Sequence, residues 1–159
     1  FYVGLMYQMG EGVARDVNVA AKWFRRSADQ GDDVAQFSLA RMYQSGVGVP
    51  DAYSEALKWY GASAGQGNAD AAYNIGLMYE RGEGVIQDHV AARWWIQKAA
   101  DLRSADAMAA LAVLDGKTPG TLPDYTSTPL RYGAPRIPPA EETASLPSTA
   151  PEVKPPPIQ

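Results

Sequence analysis

Apolar and small residues recur at helical spacing through most of the chain, and glycines interrupt the pattern at regular places. In residues 72–79 they stand at positions i, i+3, i+4 and i+7, which is the spacing of one buried helix face. After two glycines the same spacing resumes over residues 92–99. The pattern predicts two amphipathic helices joined by a turn. The two faces consist of Ala72, Ile75, Gly76 and Tyr79, and of Ala92, Trp95, Ile96 and Ala99.

This helix pair repeats with a period of 36 residues. Eight positions keep their register through three copies, which predicts a repeat architecture in which neighbouring helix pairs stack. The turn glycines are expected to end each first helix in the left-handed conformation. The recurring residues include Tyr7, Tyr43 and Tyr79; Gly10, Gly46 and Gly82; Gly12, Gly48 and Gly84; and Trp23, Trp59 and Trp95.

The start of each second helix is predicted from its capping residue. Asp16 and Asp88 are placed to accept hydrogen bonds from the first free amides of the helix. The second copy has Ala52 at this position. There we expect either Pro50–Asp51 or Ser54 to start the helix.

The composition changes at about residue 116. Residues 117–159 contain all of the twelve prolines except Pro50 and lack tryptophan, so this tail cannot bury a core of its own. It is predicted to be extended, as a spacer or a peptide ligand. The predicted domains are a solenoid over 1–116 and the tail over 117–159. The solenoid divides into repeats at about 1–36, 37–72 and 73–108, followed by a cap at 109–116.

Charge and composition exclude several classes of function. Fourteen Lys and Arg against eighteen Asp and Glu give a net charge of −4, which offers no basic face for nucleic acid. The absence of cysteine excludes disulfides, thiolate metal sites and a cysteine nucleophile. No apolar run reaches the length of about 18 residues that a membrane helix needs. We therefore expect no nucleic acid partner, no membrane insertion by this segment, and no metal or cofactor.

The repeated residues carry a resemblance to a known family. The pattern G-L-M-Y-x-x-G-x-G-V-x-x-D-x-x-x-A-x-x-W runs from Gly4 to Trp23 and again from Gly76 to Trp95. It resembles the Sel1-like repeat, a relative of the tetratricopeptide repeat that is widespread in bacteria. The resemblance implies an all-α, right-handed superhelix of three helix pairs with a capping helix. It also implies an adaptor or regulator that holds protein partners, often in the bacterial envelope, with no activity belonging to the repeat itself.

Candidate catalytic groups are few in this sequence. His89, the only histidine, lies beside Asp88 at a predicted helix start, where we interpret it as a solvated residue. The carboxylate pairs Asp32–Asp33 and Glu141–Glu142 fall in a predicted turn and in the tail, so neither resembles a glycosidase pair held on a rigid scaffold. The paired glycines follow helices and do not continue into a phosphate-binding motif. We expect no enzymatic activity.

Partner recognition should involve positions where the repeats differ. On the first helices, positions i, i+3 and i+7 share one face, and by resemblance to tetratricopeptide arrays this face lines a concave groove. It is apolar near the N-terminus and more cationic further along. An alternative is that a preceding repeat covers its first three members. The candidate groove consists of Tyr2, Leu5, Met9, Ser38, Arg41, Ser45, Asn74, Leu77 and Arg81.

Trp94 is a second candidate contact, because Lys22 and Lys58 occupy its position in the other copies. The tail, the capping helix or a partner could cover this large aromatic side chain. Residues 122–139 carry more apolar side chains than a spacer needs, and we expect them to dock as an extended strand near Trp94 or the capping helix. A wholly disordered tail is the alternative.

The predicted function is that of a non-enzymatic adaptor that presents its concave helical face to a protein or peptide. One alternative is an envelope protein acting on peptidoglycan or β-lactams, because some cysteine-rich relatives have been associated with β-lactams. Their disulfide frame cannot form here. The other alternative is a structural spacer in a larger chain, of which this sequence, beginning at Phe1, would be a segment. The periplasm or envelope is favoured over the cytoplasm, and the compartment stays open.

Overall fold

A computed structural model describes residues 1–49, 52–117 and 120–122 of the chain, which belong to one compact unit, Phe1–Ser127. Within these residues there are seven helices and no strand, which confirms the predicted all-α array of three helix pairs and a terminal helix. Each helix packs against its neighbours in sequence. The helices are α1 Tyr2–Met9, α2 Val17–Ala28, α3 Asp33–Ser45, α4 Tyr53–Gly65, α5 Ala69–Arg81, α6 His89–Asp101 and α7 Ala105–Leu114.

The turn glycines end the first helices (α1, α3 and α5) as predicted. Gly82 follows α5 with φ 71°, and its N–H donates to the carbonyl of Met78. Gly10 and Gly46 close α1 and α3 in the same left-handed conformation. Glycine adopts this conformation without the steric cost that a side chain would bring.

The second helices (α2, α4 and α6) begin in two different ways. The carboxylates of Asp16 and Asp88 each accept two backbone N–H groups, which confirms their predicted capping role. Helix α4 follows Ala52, which makes no side-chain cap, and Ser54 lies inside the helix rather than before it. The prediction that Ser54 starts α4 is therefore wrong, while Pro50–Asp51 lies outside the described residues.

The first helices start earlier than the sequence-based repeat boundaries. Helices α3, α5 and α7 begin four residues before positions 37, 73 and 109, because a polar residue one position before each start caps its free amides. These caps are Asp32, Asn68 and Ser104. The terminal helix predicted at 109–116 accordingly runs from Ala105 to Leu114.

Small residues permit the close packing within each helix pair. A Cβ atom at Gly4 would lie 2.7 Å from the ring of Phe24, and one at Gly76 would lie 2.6 Å from Ile96. Phe24 and Ile96 are fully buried, so neither can move aside. The core is a stripe of such side chains along the array. It includes Phe24, Leu39, Tyr60, Tyr73, Ile75, Met78 and Ile96.

The turns also dock the repeats onto one another. A Cβ atom at Gly48 would lie 2.5 Å from the carbonyl oxygen of Val17, at the start of the preceding second helix. At Gly84 it would lie 2.4 Å from the Cβ of Tyr53, at the start of α4, which is again the preceding second helix. Each of these turns therefore packs closely against the start of the preceding second helix.

Among the described residues, no helix has the length and apolar character needed to span a membrane. The same part of the chain holds no cluster of three or more potential metal-ligating side chains.

Candidate functional site

The structure divides the nine residues of the candidate groove into buried and accessible groups. Leu5, Ser38, Asn74 and Leu77 are buried. The hydroxyl of Ser38 donates to the carbonyl of Val34, and the amide of Asn74 donates to the carbonyl of Asp70. The accessible face is therefore narrower than the sequence predicted, because the neighbouring second helices cover these positions.

The remaining five candidates are at least partly accessible. Met9, Ser45 and Arg81 end the three first helices and are exposed. Arg41 is half-buried one turn before Ser45, and Tyr2 is 68% exposed at the N-terminal end. We call these five residues the edge row. Its side chains are apolar at the N-terminal end and cationic towards α5.

The cationic end of the edge row is supported by a buried network that joins two repeats. The hydroxyl of Tyr60 donates to Oε1 of Gln44 over 2.7 Å, and Nε2 of Gln44 donates to Glu83 over 3.0 Å. Glu83 in turn lies 3.7 Å from the guanidinium of Arg81. Tyr60 and Gln44 are buried, so the network restricts the position of Glu83 and of the charge beside it.

A second cluster was not found by sequence reasoning. The guanidinium of Arg25 lies 5.6 Å from the ring centre of Tyr43 and 5.0 Å from that of Trp59, and it donates to the Tyr43 hydroxyl. Glu55 lies 4.0 Å from Arg25 and accepts a hydrogen bond of 3.2 Å from the Trp59 indole. These four side chains join the first repeat to the second. A possible signal was the single arginine at a position where the other copies have Gly61 and Gln97.

Trp94 is 58% exposed. Its ring meets that of Trp95 edge-on with 4.9 Å between centres, and the ammonium of Lys98 lies 5.4 Å above it. Residues 123–139 of the segment predicted to dock here lie outside the described residues. The exposed Ile86 and Val90 are also large apolar side chains only in this copy, where the others have alanine, asparagine, proline or serine.

His89 is exposed at the start of α6, where the sequence placed it. Its Nδ1 lies 2.9 Å from Oε2 of Glu80, and this hydrogen bond, with the negative charge of Glu80, raises the pKa of His89 above 6.5. The pair joins the end of α5 to the start of α6. Its surface position fits the interpretation of His89 as a solvated residue.

Asp115 stands where the complete repeats have Tyr43 and Tyr79. Its carboxylate lies 2.6 Å from Arg93 and 3.2 Å from Lys117. These hydrogen bonds and charges lower the pKa of Asp115 below its ordinary value. At the end of the terminal helix, an ion-paired carboxylate thus stands in place of the tyrosine ring of the complete repeats.

The sequence model of the Sel1 repeat family matches the chain in four consecutive segments, 1–32, 33–68, 69–104 and 105–127. Their boundaries coincide with the starts of α3, α5 and α7. No curated protein matches the chain.

Solved structures of bacterial proteins share the fold. A Sel1 repeat protein from Oxalobacter formigenes is 31% identical in sequence and superposes with a TM-score of 0.66. The match covers 71% of this chain and 46% of the Oxalobacter chain. The protective antigen c5321 from uropathogenic Escherichia coli, which displays the SLR fold, is 35% identical, with a TM-score of 0.70 over 74% of this chain and 25% of its own. The chain therefore spans less than half of either relative.

Cysteine rich protein B of Helicobacter pylori also matches, at 18% identity, with a TM-score of 0.58 over 68% of this chain and 88% of its own. At this identity the match concerns the fold alone. The described residues form their helix pairs without disulfides, since the chain has no cysteine.

Proposed function

Because the chain belongs to the Sel1 repeat family, whose members generally mediate protein–protein interaction, we propose that it is a non-enzymatic adaptor that binds a protein or peptide along the edge row. The Sel1 fold is typically a non-catalytic scaffold, and this chain places its single histidine in a surface ion pair. The bound segment would meet apolar side chains near Tyr2 and cationic ones near Arg81.

The observation that carries the proposal is the rigid support beneath a variable surface. The edge row differs between repeats, with Met9, Ser45 and Arg81 at equivalent positions, while the residues behind it are buried and hydrogen-bonded. A preorganised surface loses little conformational entropy on binding, and its varied side chains supply specificity. The cationic end favours a ligand that carries an acidic group there.

Charge reversal tests the proposal. Arg41→Glu combined with Arg81→Glu should weaken the capture of a protein partner by about tenfold, because each carboxylate would repel the acidic group of the ligand. Neither arginine belongs to the buried core, since Arg41 is half-buried and Arg81 is exposed, so the helical circular dichroism should be unchanged. The capture is measured with immobilised protein and an extract of the cells that produce it.

A matched control changes the net charge equally at another surface. Lys22→Glu combined with Lys58→Glu alters two exposed positions on the second helices. We expect this variant to retain the captured partner. Loss of capture by both variants would indicate a general effect of charge, and unchanged capture by the Arg41/Arg81 variant would place binding elsewhere.

A further inference from the structure

The stacked arginine of the first junction has no counterpart in the second. Thirty-six residues after Arg25 the chain has Gly61, whereas Tyr79 and Trp95 repeat the aromatic residues that enclose the guanidinium. Nothing lies within 4 Å of the position that a Gly61 Cβ would occupy. The second junction thus retains the aromatic side chains and lacks the guanidinium that the preceding second helix supplies at the first junction.

The backbone supports the two aromatic residues in the same way at both junctions. The carbonyl of Tyr43 accepts the N–H of Ala52 over 3.1 Å, and the carbonyl of Tyr79 accepts the N–H of Asp88 over 3.0 Å. The tryptophan is less exposed at the junction where the arginine is present. Trp59, beneath Arg25, is 7% exposed, while Trp95 is only half-buried.

We propose that Tyr79 and Trp95 form a binding site for the arginine side chain of a partner protein or peptide. We call this pair the aromatic socket. The ligand would place its guanidinium where Arg25 lies at the first junction, over an indole and a phenol whose negative ring faces attract a planar cation. The socket lies between α5 and α6 and its function does not depend on the edge row.

The neighbouring lysine is compatible with this assignment. The ammonium of Lys98 lies 5.0 Å from the centre of the Trp95 ring, as that of Lys58 lies 5.5 Å from the centre of the Trp59 ring. Trp59 holds both Lys58 and Arg25, and the proposal requires Trp95 to hold a guanidinium beside Lys98, which follows its tryptophan by three residues whereas Lys58 precedes its own by one. Ala91 replaces Glu55, so the chain provides no carboxylate at that position.

The site can be tested by nuclear magnetic resonance of the indole N–H groups. The probe is the blocked tripeptide acetyl-Gly-Arg-Gly-amide, and its citrulline analogue is a neutral control of similar shape. The Trp95 signal should shift with the arginine peptide at least about threefold more than with the citrulline peptide, since only the former has the charge that the rings attract. The Trp59 signal should respond to neither, because Arg25 already covers it.

Variants of this chain provide matched controls. Gly61→Arg should fill the socket from within and abolish the Trp95 response, whereas Gly61→Ala should retain it. Arg25→Ala should open the first junction and make Trp59 responsive. Equal Trp95 shifts with both peptides would overturn the proposal, as would a silent Trp59 in folded Arg25→Ala. These comparisons hold even if Gly61→Arg fails to fold.

Discussion

The hydroxyl of Tyr60 donates a hydrogen bond to the Oε1 of Gln44, and both side chains are buried. The equivalent pair in the first repeat is Phe24 and Gln8, which lacks the hydroxyl. The Oε1 of Gln8 is buried and has no hydrogen-bond partner in the described part of the chain. One missing oxygen therefore leaves a buried acceptor unsatisfied.

Phe24→Tyr should stabilise the protein by about 1 kcal/mol, because the added hydroxyl can donate to Gln8 as Tyr60 donates to Gln44. Tyr60→Phe should lower the free energy of unfolding by about 1–3 kcal/mol, because it leaves the buried Oε1 of Gln44 without this hydrogen-bond donor. Urea unfolding followed by circular dichroism measures both changes. A destabilised Phe24→Tyr variant would mean that the first repeat has no space for the hydroxyl.

Ala52→Asp should stabilise the start of α4. At the equivalent positions Asp16 and Asp88 each accept two backbone N–H groups, and the φ and ψ of Ala52, −156° and 87°, are close to the −144° and 102° of Asp16. The new carboxylate should bond the N–H groups of Ser54 and Glu55 and add about 0.5–1.5 kcal/mol to the free energy of unfolding. Asp88→Ala, the reverse change, should cost a similar amount. Thermal unfolding of the two variants checks the pair, and an unstable Ala52→Asp would refute the capping argument.

Gly84→Ala and Gly12→Ala should differ strongly in their effects on stability. Both glycines have positive φ, 70° and 72°, so each substitution carries a backbone cost of about 1–2 kcal/mol. Only at Gly84 would the new methyl also collide with Tyr53, which adds about 1–3 kcal/mol, whereas at Gly12 its nearest neighbour is Met6 at 3.7 Å. Urea midpoints measure the difference. Equal losses of stability in the two variants would show that the contact between Gly84 and Tyr53 does not stabilise the packing of successive repeats.

His89 should titrate above pH 6.5 and contribute to stability in a pH-dependent way. Its raised pKa means that the folded state binds the proton more tightly than the unfolded state. The contribution is complete below the unfolded pKa of about 6.5 and is lost as the pH rises through the folded value. Proton resonances of this single histidine report the pKa directly. Glu80→Gln should return it towards 6.5, and an unchanged pKa would exclude Glu80 as the cause.

The sequence predicted the fold well because its structural signals are local. Gly82 ends α5 and Asp88 begins α6 through interactions within a few residues, so the spacing alone located them. The approximate repeat boundaries at 37 and 73 lie four residues after the starts of α3 and α5, because the caps at Asp32 and Asn68 begin these helices ahead of the apolar repeat pattern. Helix type was thus more predictable than helix boundaries.

The candidate site was less predictable because exposure depends on how each helix packs against the helices before and after it. Ser38 and Asn74 share a face with Ser45 and Arg81 in a single helix, yet the packed array buries the first two and exposes the others. Likewise, the stacking of Arg25 on Trp59 joins residues from different repeats. No pattern within one helix contains such contacts.

Site-specific photocrosslinking tests the proposed binding surface most directly. The photoreactive residue p-benzoylphenylalanine is placed at Ser45 or Met9 in the edge row, and at Lys22 or Lys58 on the exposed side of the second helices. The protein is irradiated in the cells that produce it, and the adducts are identified by mass spectrometry. The account predicts that Ser45 and Met9 crosslink to the same protein partner and that Lys22 and Lys58 do not. Adducts of that partner from Lys22 and Lys58, with none from Ser45 and Met9, would contradict it.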